Sequence, residues 1–318
     1  MKGADIAKIL LPMKMGPRDS KVLELVRAGH VAPLEFYPVW TSFGPYVGTL
    51  YVTADAVRLG DSSDSFRMSV GQQAAQRIAD AWGFHLPTEK ISDETWAQAP
   101  VRLKPKTREW WKDNSMSRTS RIIEQSRDID ELVGGRAGII ADVGKDWVNS
   151  RTNRKTCQKP ECSRNYGWHY PEPGDGRSPA ATPAGGYVLQ TLGTRHGMFH
   201  SDYSQYIRLV APMMTVCGPG LGQECVEMST EKVAMSPQLY GLVAHDGPTP
   251  LRHPGVKKDS GILAKAANVK YFDAAPRDPS GHPSVFSSGA GISPAPLAAG
   301  AAGALVGFFA ARKLTQIF

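Results

Sequence analysis

The side chains able to move protons or hold charge concentrate between positions 142 and 208: Asp142, Lys145, Asp146, Arg151, His169, His196, His200, Asp202, Ser204 and Arg208. If 201–210 is extended, alternation places Asp202, Ser204, Tyr206 and Arg208 on one face, with Tyr203, Ile207 and Leu209 on the other. A carboxylate, a hydroxyl and a guanidinium together make a poor core pattern and suit the floor of a polar cleft. His169 closes the block Tyr166-Gly167-Trp168-His169, and an imidazole is the side chain that titrates nearest neutrality. A His169 that met Ser204, or a water beside Asp202, would satisfy the base–orienter logic of a hydrolase. The expected catalytic set is therefore His169, Asp202 and Ser204, with Lys145, Asp146 and Arg208 holding an anionic substrate. Each of these also has an ordinary structural use. A His beside a Trp can be a hydrogen-bonded core residue, Asp202–Ser204 can form a turn, and Arg208 can pair with a structural carboxylate.

No cofactor is expected, with zinc as the one alternative. His196, His200 and Asp202 have H-x3-H-x-D spacing, which could supply three ligands and an open water position. Gly193 and Gly197 place that stretch in a loop, where spacing predicts little. The four cysteines form two local pairs, Cys157/Cys162 and Cys217/Cys225. Two disulfides, a zinc site and free thiols all remain open, although the wider second gap fits a zinc knuckle poorly. Gly134-Gly135-Arg136-Ala137-Gly138 lacks the lysine and the glycine spacing of a phosphate-binding loop.

The elements that must position these residues read as an α+β protein with a mainly antiparallel β core and several helices. Asp5–Leu11 predicts a short helix. Ala32–Trp40 and Tyr46–Arg58 are rich in β-branched and aromatic residues and are broken at Gly44–Pro45. Ser69 is expected to cap a helix with Val70, Ala74, Ile78 and Trp82 on one face and Gly83 as its stop. Thr88 opens a second helix, and Ser117–Leu132 is a third, ended by Gly134–Gly135. Ala137–Val148 reads as a buried strand leading into a loop, and Tyr187–Leu192 and Tyr203–Pro212 read as two strands around the loop Gly193–Ser201. The division expected is a core over 1–235, an extended Pro/Gly-rich arm over 236–293 with Ala264–Phe272 as an ordered island, and an apolar Ala/Gly-rich helix over 294–318.

Composition narrows the class further. The 318 residues are 41% hydrophobic and 21% charged, which excludes a collagen-like or wholly disordered chain. The net charge of +7 favours acidic partners, but its scatter argues against a nucleic-acid groove. Met1–Gly16 interleaves Lys2, Lys8 and Lys14 with apolar residues, so it does not read as a signal peptide. The hydrophobic anomaly lies at the other end, where Pro283 to Ala311 carries no charged residue and Arg312 and Lys313 follow. At about 1.5 Å per residue, a helix over Leu297–Phe318 would span about 33 Å, against about 30 Å of membrane hydrocarbon. Gly303 and Gly307 make it small-sided, so a membrane span and a helix packed in a homo-oligomer or larger complex are both consistent with it.

The order Lys145-Asp146, Tyr166-Gly167-Trp168-His169 and Asp202-Tyr203-Ser204-Gln205-Tyr206-Ile207-Arg208-Leu209-Val210, together with Ile78–Ala99, resembles a group of uncharacterised bacterial and phage-encoded proteins. The likeness covers roughly Val47 to Pro212 and implies no activity. Ser204–Leu209 also resembles, distantly, the Ser-His-Gly-Cys-Ile-Arg signature of L,D-transpeptidases, which cross-link peptidoglycan. Gln205 replaces the His, Tyr206 stands near the Gly-Cys position, and Cys217 lies outside the motif, so thioester chemistry is not implied. The expectation is a peptidoglycan-directed, hydrolase-like protein of the virion or cell envelope. The alternative is a non-enzymatic structural component of either, with assembly neighbours as partners.

Overall fold

A two-residue break at Gly44–Pro45 sets the centre of the structure. The computed structural model describes residues 1–151, 161–172, 180–221, 225–257 and 268–273. Helices α1 (Gly3–Leu10) and α2 (Met15–Arg27) precede β1 (Leu34–Phe43) and β2 (Tyr46–Thr53). The two strands pair antiparallel from Phe36↔Thr53 to Phe43↔Tyr46. Gly44 has φ +56°, the conformation that the first central position of a tight hairpin turn demands.

The short hairpin of β3 (Arg58–Gly60) and β4 (Ser65–Arg67) leads into three helices. These are α3 (Gln72–Trp82), α4 (Glu89–Gln98) and, after β5 (Val101–Arg102), α5 (Thr119–Val133). The N-cap of α3 is Gly71, which has no side chain to bond, and not the expected Ser69; three other ends fall where backbone chemistry favours. Gly83 and Gly134 close α3 and α5 in the left-handed conformation, and the Thr88 hydroxyl caps α4 by accepting from Ile91 N at 3.2 Å.

A second sheet carries the polar residues of interest. Beyond β6 (Ile140–Ala141), which pairs with β5, lie β7 (Lys145–Trp147), β8 (Asn165–Tyr170), β9 (Ala180–Ala181), β10 (Tyr187–Gly193) and β11 (Gln205–Tyr206). They assemble in the order β11-β7-β8-β10-β9, antiparallel except for the β11–β7 pair. The chain then returns to the first sheet through β12 (Met213–Cys217) and β13 (Val226–Ser229), followed by α6 (Thr230–Met235). The last described strand, β14 (Val269–Tyr271), lies parallel to β1 and completes the order β13-β12-β2-β1-β14. The architecture is mixed α and β with antiparallel-rich sheets, as expected.

Burial ties the layers together. Ile6, Leu10, Val26, Phe36, Leu59, Ile78, Leu86, Trp147 and Leu209 form one core; Val39, Leu50, Val52, Ile91, Val216 and Leu242 form another. Leu239, Val243 and Leu251 join the second, so the start of the 236–293 stretch packs on the body. Among the described residues no helix is long and apolar enough to cross a membrane. The 294–318 segment and Cys157 lie outside them. Cys217 and Cys225 form a disulfide that bridges β12 and the entry to β13.

Two strand expectations need correction. Ala137–Val148 is split into β6 and β7, with Asp142 between them at φ +63°. Within 203–212 only Gln205–Tyr206 is a strand, because Asp202 turns the chain. Its Oδ1 accepts from Ser204 N at 2.8 Å and from Ser204 Oγ at 2.5 Å, local bonds that compete with a ladder.

Candidate functional site

Helix α4 has a polar face at helical spacing: Glu89, Ser92, Asp93 and Trp96. Contacts between α4 and β8 bring that face onto the second sheet. Asp93, 1% exposed at its side chain, is the hub. Its Oδ1 accepts from Tyr166 Oη at 2.7 Å and from His169 Nε2 at 2.9 Å, and its Oδ2 accepts from His245 Nε2 at 3.1 Å.

Simple alternation would put Tyr166 and His169 on opposite faces of β8. Gly167 at φ +136° and Trp168 at φ +62° twist the strand between them, so both reach Asp93. Asp142 fixes that twist from the other side. Its carboxylate accepts from Trp168 N at 3.1 Å, His169 N at 2.8 Å and His169 Nδ1 at 3.1 Å. Two non-glycine residues in the left-handed region cost roughly 1–3 kcal/mol each, and such strain gathers at functional sites. Here both of them touch His169.

The electrostatics follow from this packing. Burial alone would lower His169, but the Asp142 charge and the bonds to Asp142 and Asp93 outweigh it and push its pKa up to about 9. Both ring nitrogens face carboxylates, so His169 is an imidazolium at neutral pH, with Trp96 stacked on it at 5.4 Å. Burial would raise Asp93, yet the bonds from His169 and His245 hold it below the ordinary carboxylate range. One turn earlier on α4, Glu89 goes the other way: burial raises it, the neighbouring Asp246 charge adds to the rise, and a 3.0 Å bond from Ser150 Oγ only partly opposes it. Two carboxylates four residues apart are thus pushed in opposite directions, the pattern that separates an acid from an ionised partner. His245, with 29% of its side chain exposed, is the member of the group that meets solvent.

The expected catalytic set does not assemble. His169 is spent on Asp93 and Asp142 and makes no hydrogen bond to Asp202 or Ser204. Asp202 and Ser204 close a turn of their own with Gln205 Nε2 at 3.0 Å and His200 Nε2 at 3.3 Å. Asp146 accepts from Ser92 Oγ at 2.8 Å and lies 3.8 Å from Arg208 Nε. Arg208 donates to the carbonyls of Thr53 at 2.5 Å and Ile140 at 2.7 Å. Asp146 and Arg208 therefore knit β7 to the first sheet and are not free to hold substrate. Lys145 projects from the opposite face of β7 from Asp146. The metal alternative fails on geometry, since His196 and His200 stack face to face at 3.9 Å instead of converging. Among the described residues no group of three or more His, Cys, Asp or Glu could hold a metal ion.

Asp93, Glu89 and His245 escape a reading by sequence proximity, because they lie 61 to 152 positions from their partners. The available signal was the polar face of α4, two carboxylates at i and i+4 beside a serine and a tryptophan. Comparison with known protein families, with curated proteins and with solved structures finds no match.

Proposed function

We propose that the chain is a hydrolase-like protein in which His245, and not His169, transfers the proton. The observation that carries this reading is the His245–Asp93 pair, a partly exposed imidazole held by a buried carboxylate that Tyr166 and His169 also occupy. With Nε2 donating to Asp93, His245 Nδ1 offers the lone pair that takes a proton from water. Glu89, raised by burial, returns a proton to the leaving group. Asp93, His169 and Asp142 position the base. The choice of an envelope polymer, peptidoglycan first, rests on the likeness of Ser204–Leu209 to the transpeptidase signature.

The test is digestion of purified peptidoglycan by the full chain and by His245→Gln and Glu89→Gln variants. General acid–base groups contribute about 10²–10⁴-fold, so each variant should lose at least about a hundredfold while keeping its fold. Absence of digestion by the parent chain, or an unaffected His245→Gln, overturns the reading.

A second reading, an assembly component of a virion or envelope, is favoured by β14. Among the described residues its only strand partner is β1, and Tyr271 and Phe272 stack on Phe36 at 5.1 Å and Tyr37 at 4.4 Å. Truncation after Ala275 keeps that strand and removes the uncharged tail. Lost self-association with retained digestion supports the enzyme, whereas lost self-association from a chain that never digests supports the assembly component.

A further inference from the structure

One face of the first sheet is closed. Val39, Leu50, Val52, Met214 and Val216 are at most 1% exposed, and they pack with Ile91 and Trp96 of α4 and with Leu242. The opposite face is closed at one end only, where Phe36, Tyr51 and Tyr271 join the first core. Beyond them the register sets Pro38 beside Tyr51, Trp40 beside Thr49, and Thr49 beside Thr215. Alternation puts Val47 and Met213 on the same surface, and Met213 is 39% exposed. Among the described residues Pro38, Trp40, Val47 and Met213 belong to none of the buried clusters. An antiparallel sheet tolerates one solvated face, and the threonines suit it. The four apolar side chains gathered there are the part that calls for a cover.

The path of the chain indicates what covers it. Strand β14 runs parallel to β1, so it heads from Leu34 toward the Trp40 end, and Phe272 N donates to Phe36 O at 2.9 Å. Tyr271 meets Tyr51 edge-on at 5.5 Å. Burial raises the Tyr51 phenol, and the Asp273 and Glu227 charges add to the rise, so the chain leaves β14 within electrostatic range of this face. Positions 274–318 continue from there. Strand β12 lies three strand spacings from β14, about 14 Å, whereas 274–283 fully extended reaches about 33 Å. From Pro283 to Ala311 no residue is charged, and Leu297, Leu305, Val306, Phe308 and Phe309 stand among alanines and glycines. Arg312 and Lys313 follow, opposite in sign to Glu227 and Asp273 beside the patch. Apolar surface in the middle and opposite charges at the rim make the two complementary.

We propose that the uncharged segment 283–311 docks on the Trp40–Thr49–Thr215 face of its own chain's first sheet. The proposal does not depend on the Asp93 hub or on any catalytic step. Tethering favours this occupant over a second copy, because a linker that spans the gap holds the segment at an effective concentration on the order of millimolar.

The experiment is methyl NMR of the full chain, with a neutral gadolinium chelate as the solvent probe. The Val47, Thr49 and Thr215 methyls should be shielded from the chelate, while that of exposed Thr107 relaxes strongly. Phe308→Glu combined with Phe309→Glu places charges in the segment and should shift docking at least about tenfold toward release. The shielded methyls then approach Thr107 in relaxation. Mixing methyl-labelled chains with unlabelled ones separates contacts within a copy from contacts between copies, and contacts from Phe308 or Phe309 within one copy are expected. Methyls as exposed in the parent as that of Thr107, or shielding unmoved by the paired substitution, overturn the proposal. Contacts seen only between copies overturn it too, since the occupant is then a second chain. Should the substituted chain fail to fold, absence of Phe308 and Phe309 contacts in the parent overturns it equally.

Discussion

Replacing His169 by glutamine tests the buried imidazolium directly. The ring is 2% exposed and bonds Asp93 and Asp142 through both nitrogens. A pKa pushed from 6.5 to about 9 means that the fold prefers the charged ring by about 3 kcal/mol. Because the folded value is raised, this stabilisation is complete below pH 6.5 and is lost as the pH climbs through 9. Urea unfolding of the parent and of His169→Gln, measured from pH 6 to pH 10, should show their difference shrinking by about 3 kcal/mol across that window. Groups remote from His169 cancel in the difference. A second readout needs no variant: the His169 Hε1 resonance of the native chain should titrate near pH 9. A midpoint at or below 6.5 would refute the argument, because the two carboxylates would then not be holding a proton on the ring.

Further expectations concern the scaffold. Arg67, 1% exposed, donates to Asp55 at 2.6 and 2.7 Å and to Asp130 at 2.7 Å. Arg67→Met should cost about 3 kcal/mol in urea unfolding, since it takes from Asp55 its two shortest ion-pair bonds and leaves Arg58 Nη1 at 3.5 Å, and a loss below about 1 kcal/mol would contradict that. The Cys217–Cys225 bridge spans 8 positions, so the double serine variant should lose about 2 kcal/mol; equal unfolding midpoints with and without reductant would count against it. His253 is fully buried, and burial, with the nearby Arg164 and Arg252 charges, lowers it to about 4 against the opposing bond to the Cys162 carbonyl. Its folded pKa is depressed, so relative to His253→Gln the native chain should lose stability as pH falls from 6.5 through 4. A flat difference would mean that the ring is not held neutral.

Local signals were legible and long-range ones were not. Gly83, Thr88 and Gly134 mark helix ends by backbone chemistry that depends on a few neighbouring residues, and the structure uses all three. Helix α2 escaped notice because Gly16 and Pro17 look like breakers. They fall in its first turn, where a missing N–H costs nothing. The polar face expected over 202–208 failed because Asp202 satisfies itself with nearby backbone before a ladder can form. His169 was legible as a residue of consequence, but its partners were not. Asp93 arrives from a helix and Asp142 from a strained connection to meet the His169 ring, His245 arrives from a loop to meet Asp93, and only packing brings them together.

The pairing of Leu34 with Val269 has a consequence for synthesis. At about 5–20 residues per second, roughly 10 to 50 s separate the emergence of these two positions from the ribosome. Through that interval the N–H and C=O groups of Leu34–Phe36 face outward with no strand beside them, and the Phe36 ring lacks its Tyr271 cover. An open edge carrying an uncovered aromatic is the form of nascent chain that chaperones shield and that crowded polysomes cross-pair. Yield of this protein should therefore depend on translation speed and chaperone supply more than its finished stability would suggest.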